Sequence, residues 1–225
     1  MSFYQPARRV AIVAGVRTPF AKAGTSLKHY SAIELGKIAV SELIQRSELD
    51  PATLDILVFG TVIPSVLAPN VAREVALMPL IPKNVQAFSV SRACASANQA
   101  ITDAADQIVL GHAEVAIAGG AESLSTVPIL HSRGFSDALV AASKAKSLGQ
   151  RLQAFAKVRP KDFVPITPAI AEPTTVVSMG HSAEKMAKLI ALPRREQEVH
   201  ALASPPYRAT CTAARRPPPD IPPGP

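Results

Sequence analysis

Cys94 is the residue of this 225-residue sequence best placed to do covalent chemistry. It lies in Val90-Ser91-Arg92-Ala93-Cys94-Ala95-Ser96-Ala97-Asn98-Gln99-Ala100, where a short alternating segment gives way to an Ala-rich run that reads as a helix. A thiol at a helix N-terminus faces backbone N–H groups without intrahelical partners and the positive end of the macrodipole. Both favour thiolate over thiol. The same amides can donate to an oxyanion that forms when the sulfur attacks a carbonyl. The competing reading is a small buried hydrophobe, the commoner fate of a lone cysteine. On spacing alone the two readings are evenly balanced.

The elements around Cys94 follow from periodicity and punctuation. Residues 9–16 form an apolar run of strand length, closed by Arg17-Thr18-Pro19. Ser31 with Glu34 makes a capping box that opens an amphipathic helix to about Arg46, with Ile33, Leu35, Ile38, Ala39 and Leu43 on helical spacing. Asp50-Pro51 starts a short turn, and residues 54–59 read as a buried strand ending at Gly60. Helix is expected over 70–78, strand over 86–90 and a long helix over 95–110 with Gly111 as its stop. A strand over 114–118 follows, ending at Gly119-Gly120. Short strands alternating with helices predict an α/β sheet with helices on both faces.

Residues 1–125 therefore read as an α/β core. Over 126–177 the strand-length apolar runs stop, prolines scatter and Lys and Arg are in excess, so this stretch reads as a helical loop region outside the sheet, of the kind that forms lids. Helices return over 178–203. Residues 204–225 hold eight prolines among 22 residues and are expected to be disordered or partly polyproline-like.

Composition narrows the classes. Apolar residues make up 48% of the chain, so a sizeable core is expected. The net charge of +7 is spread over short clusters with no interleaved aromatics and no Trp, which disfavours nucleic acid as a partner. A basic surface would also suit an anionic, nucleotide-bearing thioester. Cys94 and Cys211 cannot build a disulfide framework, which points to a reducing compartment. The first residues carry no apolar signal core, and the longest uncharged run, 56–72, is interrupted by Gly60, Pro64 and Pro69. It falls short of the ~20 apolar residues of a spanning helix, so a cytoplasmic location is expected and no transmembrane segment. No G-x-G-x-x-G follows the first apolar run, which disfavours a dinucleotide-binding protein.

Four segments occur in a recognisable order. They are Arg17-Thr18-Pro19-Phe20 with residues 24–27, residues 90–96 around Cys94, Ala118-Gly119-Gly120-Ala121-Glu122-Ser123-Leu124-Ser125, and Ser178-Met179-Gly180-His181-Ser182-Ala183-Glu184. Together they resemble the successive signatures of the thiolase family over about 9–204. Residues 95–100, 127–133 and 144–151 resemble one branch, the thiolase (β) subunit of the fatty-acid β-oxidation multienzyme complex. The resemblance implies the N-terminal half of the layered thiolase fold, with a mixed sheet and the loop region over the coenzyme A site.

It also implies a ping-pong scheme. Cys94 would attack the 3-keto carbon of a 3-ketoacyl-CoA, acetyl-CoA would leave, and a second CoA would take the shortened acyl group from the sulfur. Met179 matches a residue lining the pantetheine channel, whereas Ser178 stands where the family has a histidine. CoA is then a co-substrate, with no metal or other cofactor, and the expected partners are acyl-CoA, a second copy of the chain and the hydratase/dehydrogenase subunit. Arg17, Thr18, Gly119, Gly120 and Glu122 read as shaping turns and hydrogen bonds.

The family's catalytic histidine and second cysteine lie in Gly-His-Pro and Cys-x-Gly motifs. Here Gly111-His112 precedes Ala113, Gly180-His181 precedes Ser182, and Cys211 precedes Thr212-Ala213. The resemblance decays at residues 201–204, where loss of the reading frame would produce such a tail. The expectation is thus a 3-ketoacyl-CoA thiolase by descent whose 225 residues are inactive alone. The alternatives are a non-catalytic remnant that binds CoA or a partner and, less favoured, a carrier-protein ketosynthase.

Overall fold

The computed structural model describes residues 9–166 and 171–213, with side chains described through Ala203. Two compact units form, one running to Val127 and the other spanning Pro128–Ala209. In the first, helix α1 (Ala32–Ser47) starts at the predicted capping box. Ser31 Oγ accepts the Glu34 amide at 3.2 Å and a Glu34 carboxylate oxygen accepts the Ser31 amide at 2.7 Å. Such a cap contributes about 1 kcal/mol. The Ser31 amide and hydroxyl also hold the Glu34 carboxyl below its ordinary pKa.

The sheet has three described strands, β1 (Ile56–Gly60), β2 (Gln86–Val90) and β3 (Ala116–Gly120), in the order β2-β1-β3. Both pairings are parallel, in register from Ile56 opposite Gln86 and Ala116 to Gly60 opposite Val90 and Gly120. A mixed sheet was the expectation; the described strands are all parallel. β1 is buried along its whole length, as a central strand covered on both faces must be. Leu57 and Phe59 pack toward α1 and α2 (Val71–Ala76), with Val40, Ile44, Val71 and Val75. Ile56 and Val58 point the other way, onto Ala100 and Ala104 of α3 (Ser96–Val109). Leu57 and Val58 are fully buried, each contributing about 1.5–3 kcal/mol. The alanines on α3 let that helix lie close to the sheet, and Gly111 ends it at φ 77°.

Two sequence expectations need correction. Residues 9–20 form no strand, and Ile12 and Val13 stand 86% and 88% exposed. An apolar run of strand length still needs a sheet edge to pair with, and in this chain it lies outside the sheet. The last strand sits two residues later than predicted, because Asp55 Oδ2 accepts the Glu114 and Val115 amides and holds them outside the ladder. Gly119 and Gly120 are therefore the last two residues of the strand rather than the stop after it.

The second unit is helical. It contains α4 (Arg133–Lys144), α5 (Leu148–Ala154), a 3-10 turn at Pro160–Phe163, α6 (Met179–Leu189) and most of α7 (Arg194–Ala213). Ser132, Ser147 and Ser178 cap the first turns of α4, α5 and α6 by accepting the Phe135, Gln150 and His181 amides. Phe135 packs against His131, Phe155 and Phe163, with ring centroids 5.0, 6.3 and 4.8 Å away. No described segment of 126–177 pairs with β1–β3. The helices over 178–203 group with this unit.

The boundary expected at 204 is not seen in the backbone: α7 continues helical to Ala213 across Pro205 and Pro206. The φ of proline, fixed near −65°, is itself a helical value, although each interior proline removes a donor and costs about 3 kcal/mol. The rest of the expected disordered tail, 214–225, lies outside the described residues.

Candidate active site

Cys94 sits one position before Ala95, the N-cap of α3. A turn of three residues, 91–93, separates it from the end of β2, where an immediate junction was expected. The sulfur-bearing residue is exposed, so the reading of a small buried hydrophobe does not hold. Ala95 provides no side-chain cap, so the first amides of α3 are not taken up by a neighbouring hydroxyl.

The topology explains why this corner is available for chemistry. From β1 the chain crosses by α2 to β2, then returns by α3 on the opposite face to β3, on the other side of β1. Crossovers that leave in opposite directions open a crevice at the C-terminal ends of adjacent strands, the usual ligand position in parallel α/β sheets. Here those ends are Gly60 and Gly120. Glu122 bridges them, one carboxylate oxygen accepting the Val62 amide at 2.7 Å and the Ile63 amide at 3.2 Å.

Two glycines let α3 sit on this corner. A Cβ on Gly60 would lie 2.3 Å from the carbonyl carbon of Ser96 and 2.5 Å from the Ala97 nitrogen. One on Gly120 would meet the Ala97 Cβ at 3.1 Å and the Gly60 oxygen at 2.8 Å. The turn before the helix is held equally closely. Ser96, 4% exposed, accepts the Arg92 amide at 2.8 Å and donates to the Ala93 carbonyl at 2.6 Å. The Arg92 guanidinium donates to Gln99 at 2.8 Å, and Gln99 donates to Asp103 at 2.6 Å. Gly120 was read from sequence as shaping a turn and Gly60 only as the end of a strand; Ser96, Arg92, Gln99 and Asp103 were not singled out, although a serine two places after the cysteine was visible there.

Other predicted site residues lie elsewhere. Met179 is the first residue of α6, 63% exposed, in the second unit. Ser178, standing where the family has a histidine, caps that helix and its hydroxyl lies 2.8 Å from His181 Nδ1. His112 is at the far end of α3 from Cys94, about 20 Å along the helix at 1.5 Å per residue. Its Nδ1 pairs with Gln107 at 3.2 Å, as a helix-end residue would. A cleft of about 420 Å³ opens between residues 16–23 and 120–125 of the first unit, but Cys94 does not line it.

A strand-turn-helix corner with an exposed thiol, seated on two glycines, occurs here with the four ordered signatures. The sequence model of the thiolase N-terminal domain matches residues 10–215. The chain belongs to the thiolase family. It is 46% identical over 201 residues to a 3-ketoacyl-CoA thiolase of Pseudoalteromonas translucida, covering 87% of this chain and 46% of that one. A 3-ketoacyl-CoA thiolase of Colwellia psychrerythraea is 47% identical over 193 residues, covering 86% and 44%.

Among solved structures, the Bacillus anthracis acetyl-CoA acetyltransferase superposes with a TM-score of 0.68 at 26% identity, covering 90% of this chain and 47% of that one. The Acat5 thiolase of Ascaris suum, in complex with coenzyme A, gives 0.66 at 25% identity, with 85% and 46% covered. This thiolase-family chain thus spans just under half the length of the relatives it matches. Among the described residues no helix is long and apolar enough to cross a membrane.

Proposed function

We propose that Cys94 is the nucleophile of a 3-ketoacyl-CoA thiolase site of fatty-acid β-oxidation, and that these 225 residues alone carry only the nucleophile side of it. The observation that supports this reading is the placement of an exposed cysteine immediately ahead of an uncapped helix N-terminus, at the C-terminal edge of the parallel sheet.

The Cys94 sulfur, as thiolate, attacks C3 of a 3-ketoacyl-CoA, and the carbonyl electrons move to oxygen. Collapse of the oxyanion breaks the C2–C3 bond, and C2 takes a proton to give acetyl-CoA. The acyl group stays on Cys94 as a thioester until the thiol of a second CoA attacks it. That step releases the shortened acyl-CoA and regenerates the cysteine. The N-terminal end of α3, next to Cys94 in the chain, supplies positive partial charge for the developing oxyanion. CoA is the co-substrate, and Met179 at the start of α6 contributes to the pantetheine channel. The working form is a cytoplasmic homodimer that associates with the hydratase/dehydrogenase subunit.

The proton transfers lack a partner in this sequence. His112 belongs to the wrong end of α3, and neither a Gly-His-Pro nor a Cys-x-Gly motif occurs. A general base or acid contributes roughly 10²–10⁴-fold and one oxyanion donor roughly 10²–10³-fold, so Cys94 alone supports acylation but negligible turnover.

The test mixes the purified chain with acetoacetyl-CoA and CoA, following thiolysis by absorbance and the protein by intact mass, beside a Cys94→Ser control. One acetyl group per chain on Cys94, with no multiple turnover, is the expected result. Absence of any adduct on Cys94 overturns the nucleophile assignment. Sustained turnover lost in the control keeps the nucleophile but overturns the half-site reading.

A further inference from the structure

The turn that presents Cys94 is strained, and its strain has one side chain holding it. Ala93 has φ 45°, in the left-handed region. For an alanine that conformation costs about 1–2 kcal/mol and persists only where the surroundings enforce it. The two residues at and before the strained position are both tied to Ser96. Its hydroxyl accepts from the Arg92 amide and donates to the Ala93 carbonyl, while its own amide donates to that carbonyl at 3.1 Å.

This is not what a hydroxyl at the start of a helix usually does. A capping serine precedes the helix and accepts from the helix's first amides, as Ser31, Ser132, Ser147 and Ser178 do here. Ser96 is instead the first residue of α3, and it reaches backward, across Cys94, to the two residues on the far side of it. Its backbone is clamped in turn, because the Gly60 end of β1 leaves no room for a Cβ between them. A continuous path therefore runs from the buried central strand through Ser96 to Arg92 and Ala93, with Cys94 suspended between anchored neighbours. The Arg92–Gln99–Asp103 chain fastens the same turn to the next turn of the helix.

We infer that Ser96 is a positioning residue for the nucleophile: its hydroxyl holds Ala93 left-handed and thereby fixes Cys94 against the N-terminus of α3. The inference rests on Cys94 being the reactive thiol. Without the hydroxyl, Ala93 relaxes toward negative φ and Cys94 shifts relative to the start of α3. Displacements of about 1 Å at a reacting atom cost up to ~10²-fold in rate.

The experiment uses the full chain in a Cys211→Ser background, so that Cys94 is the single thiol, and measures iodoacetamide alkylation by intact mass. Ser96→Ala, Ser96→Thr and Ser96→Val are compared, each natively and in denaturant, with circular dichroism as a check of fold. Thr and Val share one shape and differ in the hydroxyl, so their contrast isolates it even where Ala destabilises the chain. The expected result is slowing on the order of 10- to 100-fold in the Ala and Val variants, near-wild-type rates in the Thr variant, and equal rates for all in denaturant. Equal native rates for Thr and Val, even with a lowered melting temperature, overturn the inference and leave Ser96 a purely structural residue. A wild-type thiol that reacts no faster natively than in denaturant overturns the nucleophile reading itself, a different result from the first.

Discussion

Gly60 and Ser96 approach so closely that a single added carbon on Gly60 would lie 2.3 Å from the Ser96 carbonyl carbon. What it would meet is backbone, which cannot rotate out of the way as a side chain would. Gly60→Ala should therefore force α3 off the end of β1, where overpacking of a tight contact costs about 1–3 kcal/mol. It should also slow native alkylation of Cys94, because the helix carries the cysteine turn with it. Gly149, in the first turn of α5 with open space around it, is the control: Gly149→Ala should stabilise by about 0.5–1 kcal/mol. Urea midpoints of the two variants decide the point, and equal effects would falsify the close-approach argument.

Asp55 ties the start of β1 to the residues ahead of β3. Its carboxylate accepts the Glu114 amide at 2.7 Å and the Val115 amide at 3.0 Å, and these two bonds, Glu114 first, hold its pKa below the ordinary value of 3.8. A carboxyl with a lowered folded pKa adds stability that is fully present above its unfolded pKa and disappears as pH falls through the folded one. Asp55→Asn should thus be less stable than the wild type at pH 7, and the difference should shrink as pH falls below the ordinary Asp range. Urea midpoints at pH 7 and at pH 3 measure it; a gap that widens with acid has the wrong sign.

How much of this was readable in advance depends on whether the signal was local. The capping box at Ser31 and Glu34, the strand over 86–90 and the helix carrying Cys94 at its start all follow from spacing within one turn or one pleat. The run 9–16 has as clear an apolar pattern as β1, yet it remains outside the sheet, since pairing depends on an edge that no local pattern specifies. The two-residue shift of β3 came from a carboxylate 59 positions away along the chain. Gly60 was legible as the end of a strand, but its reason is the approach of α3 from the other side of the sequence. Ser96 likewise was visible only as a small residue after the cysteine, because its backward hydrogen bonds depend on the left-handed Ala93.

Thr61, 5% exposed just beyond the end of β1, has a hydroxyl oxygen with no hydrogen-bond partner among the described residues. A buried hydroxyl left unpaired costs roughly 1–3 kcal/mol, and valine has nearly the same shape without that oxygen. Thr61→Val is expected to raise stability by about 1 kcal/mol, with the Cys94 alkylation rate unchanged. A destabilised variant would show that the hydroxyl is satisfied in solution, and that the site is wetter than its burial implies.

Glu122 secures the segment that follows β1, accepting the Val62 and Ile63 amides with one carboxylate oxygen. Beyond these two residues the chain exposes Val66 (82%) and Leu67 (97%), which no other hydrogen bond between side chain and distant backbone holds in place among the described residues. Removing the acceptor with Glu122→Ala strands two donors, and bonds to a charged group contribute about 1.5–3 kcal/mol when buried, less at this half-exposed position. Because the loss falls on a loop rather than on the core, it should appear mainly as local opening: faster thermolysin cleavage near Leu67, with only a small shift of the urea midpoint. Glu122→Gln keeps a neutral acceptor and should fall between the two. Cys94 gives the internal control, since its turn is anchored through Ser96 and Gly60 rather than through Glu122. If Glu122→Ala slows alkylation as much as Ser96→Val does, the two ends of the crevice move together, and the anchoring of Cys94 through Ser96 alone is the wrong account.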